Sequence, residues 1–248
     1  MPARRRRGLG VLVTAIVALE IICRAGLVRP TDLVPPSQMV VAMVVALGDH
    51  ATRMDLLSTL TSVALSVLIA TVLGVLAGIV LHALPRVRRA CEPFIASYYA
   101  LPLFALYPVL VVIFGIGPQP IIFTGVMYAM MSVVIATLSG LDHIPRVFYK
   151  AGKVQRLGWP AITMRILLPA AATDILGGIS LAVSYAFVAV IASEFLLAPE
   201  GIGRAIADAY TTFQIRRMYG LMLLTILIVV SINMALRSFH KRLGQAVL

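Results

Sequence analysis

"YKAGKVQRLGWPAITMRILLP", residues 149–169, places Lys150, Lys153, Arg156 and Arg165 within 21 residues, between two of the most hydrophobic stretches of the chain. A charge at the centre of a bilayer costs about 2.5–3.5 kcal/mol or more, so a segment with four of them stays outside the hydrocarbon that its flanks are composed to enter. Its spacing is helical. Arg146, Lys150, Lys153 and Arg156 recur at intervals of four, three and three, which predicts a helix over 146–157 with a basic stripe. Val147, Ala151 and Val154 fall on an adjacent apolar face. Gly158 reads as the C-terminal stop, Pro160 suits the first turn of a second helix, and Pro169 marks the start of the next span. The expectation is a helix, a turn and a helix over 146–165, lying along a membrane surface with Trp159 as an interfacial anchor.

Composition extends the reading outward. The 248 residues are 60% hydrophobic and 12% charged, with a mean hydropathy of +0.99, whereas soluble domains are about 25% charged. That predicts an all-α integral membrane protein. A span needs about 20 apolar residues, and candidates lie at 9–28, 55–82, 93–114, 119–141, 170–197 and 218–237 within one transmembrane domain covering 1–248. Between Glu92 and Asp142 no charge occurs for 49 residues, and Gly115, Gly117, Pro118 and Pro120 divide that stretch into two spans.

The first stretch has a second reading. "MPARRRRGLGVLVTAIVAL" has the basic start and apolar run of a signal peptide. Six spans with a cytoplasmic N-terminus sort the basic residues well, however, leaving 15 inside and 6 outside. Topology and anionic lipid then account for the net charge of +11 without nucleic acid. Cys23 and Cys91 form no pairing or metal pattern and read as packing residues.

Catalytic motifs are missing. There is no HExxH, no GxSxG and no phosphate-binding loop, since Gly152-Lys153 lacks the upstream glycine. His50, His82, His143 and His240 are scattered over span ends and loops, so no metal site is expected. Polar groups in spans remain the places to look for function, with Glu20, Asp174 and Glu194 as candidates and Glu92 and Asp142 read as helix-end residues.

The 146–165 segment resembles the cytoplasmic signature of binding-protein-dependent ABC importer permeases, E-A-A, three residues, G, nine residues, I, one residue, L-P. The register gives Lys150-Ala151-Gly152, then Arg156, then Ile166, Leu168 and Pro169, with Lys150 in place of the glutamate and Arg156 in place of the glycine. The likeness covers nearly the whole chain. "LVPPSQMVVAMVVAL" (33–47), "EPFIASYYALP" (92–102), "LPAAATDILGGISLA" (168–182) and "SEFLLAPEGIGRAI" (193–206) are similar to segments of the sulfonate, taurine and nitrate importer group.

That resemblance implies a type I ABC importer permease fold of about six helices, in a bacterial inner membrane, multi-pass. It implies a second permease subunit, identical or related, two cytoplasmic ATPase subunits that hold ATP and Mg, an extracytoplasmic substrate-binding protein, and no cofactor in this chain. It also implies alternating access for a small anion such as a sulfonate, nitrate or aromatic acid, although thiamine-precursor importers have similar permeases. Val147, Lys150, Ala151, Gly152, Val154, Arg156, Leu157 and Gly158 are the expected ATPase-coupling residues. Ser97, Tyr98, Tyr99, Ser184 and Tyr185 bring hydroxyls into apolar spans and are the expected substrate pathway, with interhelical hydrogen bonding as the alternative. Glu194, Gly201 and Gly203 are the expected extracytoplasmic gate. The rival functions are an intramembrane enzyme using Asp174 or Glu194, and a scaffold that binds a soluble partner through 146–165 or rests it on anionic lipid.

Overall fold

A computed structural model describes residues 2–26, 29 and 32–246. Its helices are α1 (Pro2–Arg24), α2 (Pro36–Gly48), α3 (His50–Ala83), α4 (Pro85–Ser97), α5 (Tyr107–Phe114), α6 (Pro118–Asp142), α7 (Arg146–Val154), α8 (Trp159–Ile162), α9 (Leu168–Leu197), α10 (Ile202–Thr211) and α11 (Ile215–Ala246). Among the described residues there are no strands, as a bilayer demands of a chain that must satisfy its backbone within each segment. Four helices there are long and apolar enough to cross a membrane: α3, α6, the run Trp159–Leu197 and Ile215–Leu236.

α6 is the centre, with 61% of its span buried against 28% for α3 and 17% for α11. It packs chiefly on α9 and α3, through small residues that let helix axes approach. A Cβ at Gly178 of α9 would stand 2.4 Å from Ala136 Cβ, and one at Gly78 of α3 would stand 2.6 Å from Thr137 Cβ. Ala70, Ala129, Val133, Ala182, Ala186 and Val190 fill the space between the three helices. In lipid such contact supplies the packing that water-driven association supplies elsewhere.

The stretch 93–114, expected as one span, is broken. α4 carries Pro93, 3₁₀ turns occupy Tyr98–Ala100 and Leu103–Leu106, and helix resumes only at Tyr107. Pro102 gives the reason: it lacks an N–H, and it holds Leu101 extended at φ −79°, ψ 127°. At the other end of α5 the chain turns on Gly115 at φ +82°.

The 33–47 segment, which falls between the first two expected spans, contains α2, which lies against α11 where a Cβ on Gly220 would meet the Ala42 backbone at 2.8 Å. α1 starts earlier than the expected 9–28 and ends at Arg24, while residues 27 and 28 lie outside those described. Glu20 joins α1 to α2: its carboxylate accepts from Ser37 N and Oγ at 3.0 and 2.7 Å, and from Arg24 Nε at 2.6 Å.

Pro169 does not begin a separate helix. The run from Trp159 continues through a π turn at Thr163–Leu167, where Leu168 N–H bonds to Thr163 O. The wider turn accommodates a proline that would otherwise clash with the carbonyl four residues before it.

Candidate functional site

Two polar constellations stand at opposite ends of α3, around Thr59 and around His82, about 35 Å apart at the rise of a helix. At the His82 end lies α7. It is shorter than the expected 146–157, because Arg156 takes the left-handed conformation at φ +55° and Leu157 N–H closes on Gly152 O. Gly158 is not the stop of this helix. It has extended backbone at φ −67°, ψ 160° and precedes α8.

Arg156 thus occupies the left-handed turn at the place where the permease signature has glycine. A non-glycine residue there costs about 1–2 kcal/mol, and glycine returns about 0.4–1 kcal/mol through the freedom of the unfolded chain. Arg156→Gly is therefore expected to raise stability by about 0.5–1 kcal/mol, read as a higher thermal midpoint of the detergent-solubilised protein. A lower midpoint would mean that the guanidinium makes contacts worth more than the strain.

The faces of α7 differ from the expected division. Gly152 is buried, and a Cβ there would lie 2.7 Å from Ile162 Cγ1. Tyr149 and Leu157 are half-buried against Ile144, Ile162 and Leu167, so Leu157 belongs to the inner packing rather than to an outer surface. Val147 and Val154 point outward, 70% and 83% exposed, beside exposed Phe148, Lys150 and Arg156. Ala151 and Lys153 are helical, and their side chains lie outside the described part of the structure.

Midway along the bundle, the broken stretch after α4 faces α9. The Tyr99 and Tyr185 rings stack with centroids 4.8 Å apart at 26°, and Tyr98 meets Tyr99 edge-on at 5.8 Å. Tyr98 is buried and donates its hydroxyl to Met127 O at 2.7 Å, and Ser184 donates to Asn233 Oδ1 at 3.1 Å. Ser97 is exposed at the end of α4. Three of the five expected pathway residues therefore form one aromatic cluster, Ser97 adjoins it in the chain, and Ser184 bonds toward α11.

At the Thr59 end, Glu194 is 1% exposed. Its Oε2 accepts from Thr59 Oγ1 and from Gly203 N–H, both at 2.9 Å, and its Oε1 has no hydrogen-bond partner among the described residues. Thr59 Oγ1 in turn accepts from Ile202 N–H at 2.9 Å, Asp55 Oδ1 accepts from Gly201 N–H at 3.0 Å, and Ser58 donates to Glu200 at 3.0 Å. Gly201, at φ +114°, passes so close that a Cβ would stand 2.4 Å from Glu194 Cδ. A Cβ at Gly203 would be as tight, 2.5 Å from Ile191 O. The 198–203 loop is in this way tied to α3 by Gly201 N–H on Asp55, Ile202 N–H on Thr59 and Glu200 on Ser58, and to α9 by Gly203 N–H on Glu194.

The structure brings Glu194, Gly201 and Gly203 together, and Asp55 and Thr59, which hold the same loop, are not among the residues singled out from the sequence. Their signal is a polar stripe on α3: Thr52, Asp55, Thr59, Ser62 and Ser66 recur at three and four residues, one face of a helix. Asp142, read as a helix-end residue, holds Arg88 and His82. Asp174 is exposed, and Glu20 is spent on α2. Among the described residues no group of His, Cys, Asp and Glu comes together to hold a metal ion.

The chain resembles known proteins along most of its length. Residues 70–248 match the family described as binding-protein-dependent transport system inner membrane component. The taurine transport system permease protein TauC of Escherichia coli is 24% identical over 206 residues, 81% of this chain and 75% of that protein. The nitrate import permease protein NrtB of Synechococcus elongatus is 29% identical over 157 residues, 63% of this chain and 56% of that protein. In structure, the chain superposes on the MetNI methionine ABC transporter in an inward-facing form with a TM-score of 0.65, covering 79% of this chain and 95% of that one at 18% identity. The fold is that of a type I permease, and the chain belongs to the binding-protein-dependent transport inner membrane components, as a permease subunit of an ABC importer.

Proposed function

We propose that this subunit pairs with a second permease subunit and carries a small anion inward by alternating access, driven by two separate ATPase subunits docked on α7. The observation that carries the reading is the outward pair Val147 and Val154, far more exposed than apolar residues need be on a helix anchored by Gly152. A short helix offering an apolar face fits a groove on a soluble partner. ATP and Mg would be held by that partner, whose side of the membrane is the cytoplasm, with the N-terminus of this chain on the same side. A substrate-binding protein would deliver the solute at the opposite end, where Glu194 and the Gly201–Gly203 turn form the gate. The anionic substrate is supported by the taurine and nitrate permeases among the relatives.

The route is proposed to run past Tyr99 and Tyr185. Backbone that leaves helical geometry at membrane depth is tolerated where it is buried in protein or lines a cavity, and in transporters interrupted helices commonly flank the solute. The 3₁₀ turns at 98–106 are such an interruption. Cysteines placed at 98, 99, 184 and 185 in a chain lacking Cys23 and Cys91 test this with a membrane-impermeant thiol reagent. Labelling at 99 and 185 is expected to change between nucleotide-free and vanadate-trapped complexes. Absence of labelling at all four positions in every state would remove this cluster from the route.

A further inference from the structure

At the end of the bundle that carries α7, four side chains from four helices form one connected series. The Tyr149 hydroxyl of α7 lies 2.9 Å from His82 Nε2 at the end of α3. His82 Nδ1 lies 3.1 Å from Asp142 Oδ1, on the last residue of α6. Arg88 of α4 grips both oxygens of Asp142, at 2.9 and 2.7 Å. A carboxylate only accepts, so Nδ1 carries the ring hydrogen and, in the neutral imidazole, Nε2 accepts from the tyrosine. A second proton on the ring would make Nε2 the donor to the same hydroxyl oxygen, so the link survives in either state. Burial, reinforced by the Asp142 charge, holds the Tyr149 phenol above its ordinary range and keeps its hydrogen in place. The two rings also lie nearly parallel, 22° apart with centroids at 6.4 Å.

Among the described side chains of α7, Tyr149 is the one hydrogen-bonded to another helix. The rest of its attachment is apolar contact of Tyr149 and Gly152 with the 162–167 region. Ion pairs as exposed as Arg88–Asp142 add little stability, so the use of the series is geometric. It joins α7 to α3, and through α6 to α4, the helix that runs into the turns bearing Tyr98 and Tyr99.

We propose that Tyr149 and His82 are positioning residues that fasten α7 to the α3 terminus and, through Asp142 and Arg88, to α4, so that movement imposed on α7 is delivered to the bundle. The proposal rests on the reading of α7 as the ATPase-docking helix. Without the link, α7 would pivot on Gly152 and on the turn at Arg156, and the bundle would feel less of the motion.

Hydrogen exchange of the permease in lipid nanodiscs, with and without its ATPase, tests this. In the wild type, docking is expected to slow exchange in α7 and also, by about 2- to 30-fold, in the last turn of α3 at 79–83. In Tyr149→Phe, exchange without the ATPase should match the wild type and α7 should still be protected on docking, while the protection of 79–83 is lost. His82→Ala should give the same loss, and the double variant should lose no more than either alone. Protection of 79–83 that persists in Tyr149→Phe overturns the proposal, as does faster exchange in that variant before any ATPase is added, which would make the hydroxyl a stability element only. If the ATPase fails to protect α7 in the wild type, the docking assignment itself fails and the link loses its role with it.

Discussion

Gly201→Ala is expected to lower stability by about 3 kcal/mol or more. Two terms add. Alanine at φ +114° costs about 1–3 kcal/mol in backbone strain. The new methyl would also stand 2.4 Å from Glu194 Cδ and 2.6 Å from each of its oxygens. That carboxylate cannot retreat without releasing Thr59 Oγ1 and Gly203 N–H, and a buried polar group left unpaired costs about 1–3 kcal/mol. For a domain of this size the thermal midpoint in detergent should fall by about 6–12 °C. Gly177→Ala supplies the contrast, because nothing lies within 4 Å of its Cβ position and alanine favours a helix by about 1 kcal/mol. A Gly201→Ala protein as stable as wild type would mean that the loop is not held against Glu194 as described.

Val154→Asp is expected to weaken association with the ATPase by about thirtyfold or more and to uncouple hydrolysis from transport. The side chain is 83% exposed, so the free permease should tolerate the change with its stability unaltered. In a docked complex the same position would be closed off, and an unpaired charge buried at an interface costs about 2–5 kcal/mol. Lys150→Glu is the companion variant. It restores the glutamate of the permease signature, changes the loop charge by two units, and is expected to alter mainly the salt dependence of association, because exposed charges act through a screened field. Both effects are read by titrating the ATPase onto the permease at two ionic strengths. The reverse ranking, with Val154→Asp silent and Lys150→Glu abolishing association, would make the basic stripe the docking surface.

Much of the fold is legible in the sequence, and the reasons for the rest are local. Charge-free runs of span length mark α3, α6, α9 and α11, because each is apolar over a bilayer's thickness and ends in charge. The same rule marks 93–114 but not its breaks. Hydropathy averages over Pro93 and Pro102, whereas the backbone responds to each one separately, so a stretch apolar enough for a span is not one helix. The coupling segment is found by its charges, yet its faces are not. A stripe of basic residues at helical spacing predicts α7, but which neighbours turn inward depends on the close approach of Gly152 to Ile162, a tertiary contact with no local pattern. Arg156 carries the clearest lesson: the spacing reads it as one more turn of helix, while the structure uses it where the signature's glycine would fold back. Glu194 stands out in the sequence because it follows a long uncharged run, but its partner Thr59 lies 135 positions away, Asp55 lies 146 positions from the Gly201 N–H it accepts, and both show only as a polar stripe. The His82–Tyr149 link is of the same kind. Its members lie 67 positions apart, and in the sequence His82 is one of four scattered histidines while Tyr149 carries no signal of its own.

Purification of the full-length chain from its own membrane in mild detergent tests ATPase coupling most directly. An ATPase subunit should co-purify in a ratio of one per permease subunit, and Val154→Asp should strip it away while leaving the permease folded. A stable permease that carries no ATPase, or one that keeps its ATPase fully bound after Val154→Asp, would contradict the assignment of α7 as the docking helix.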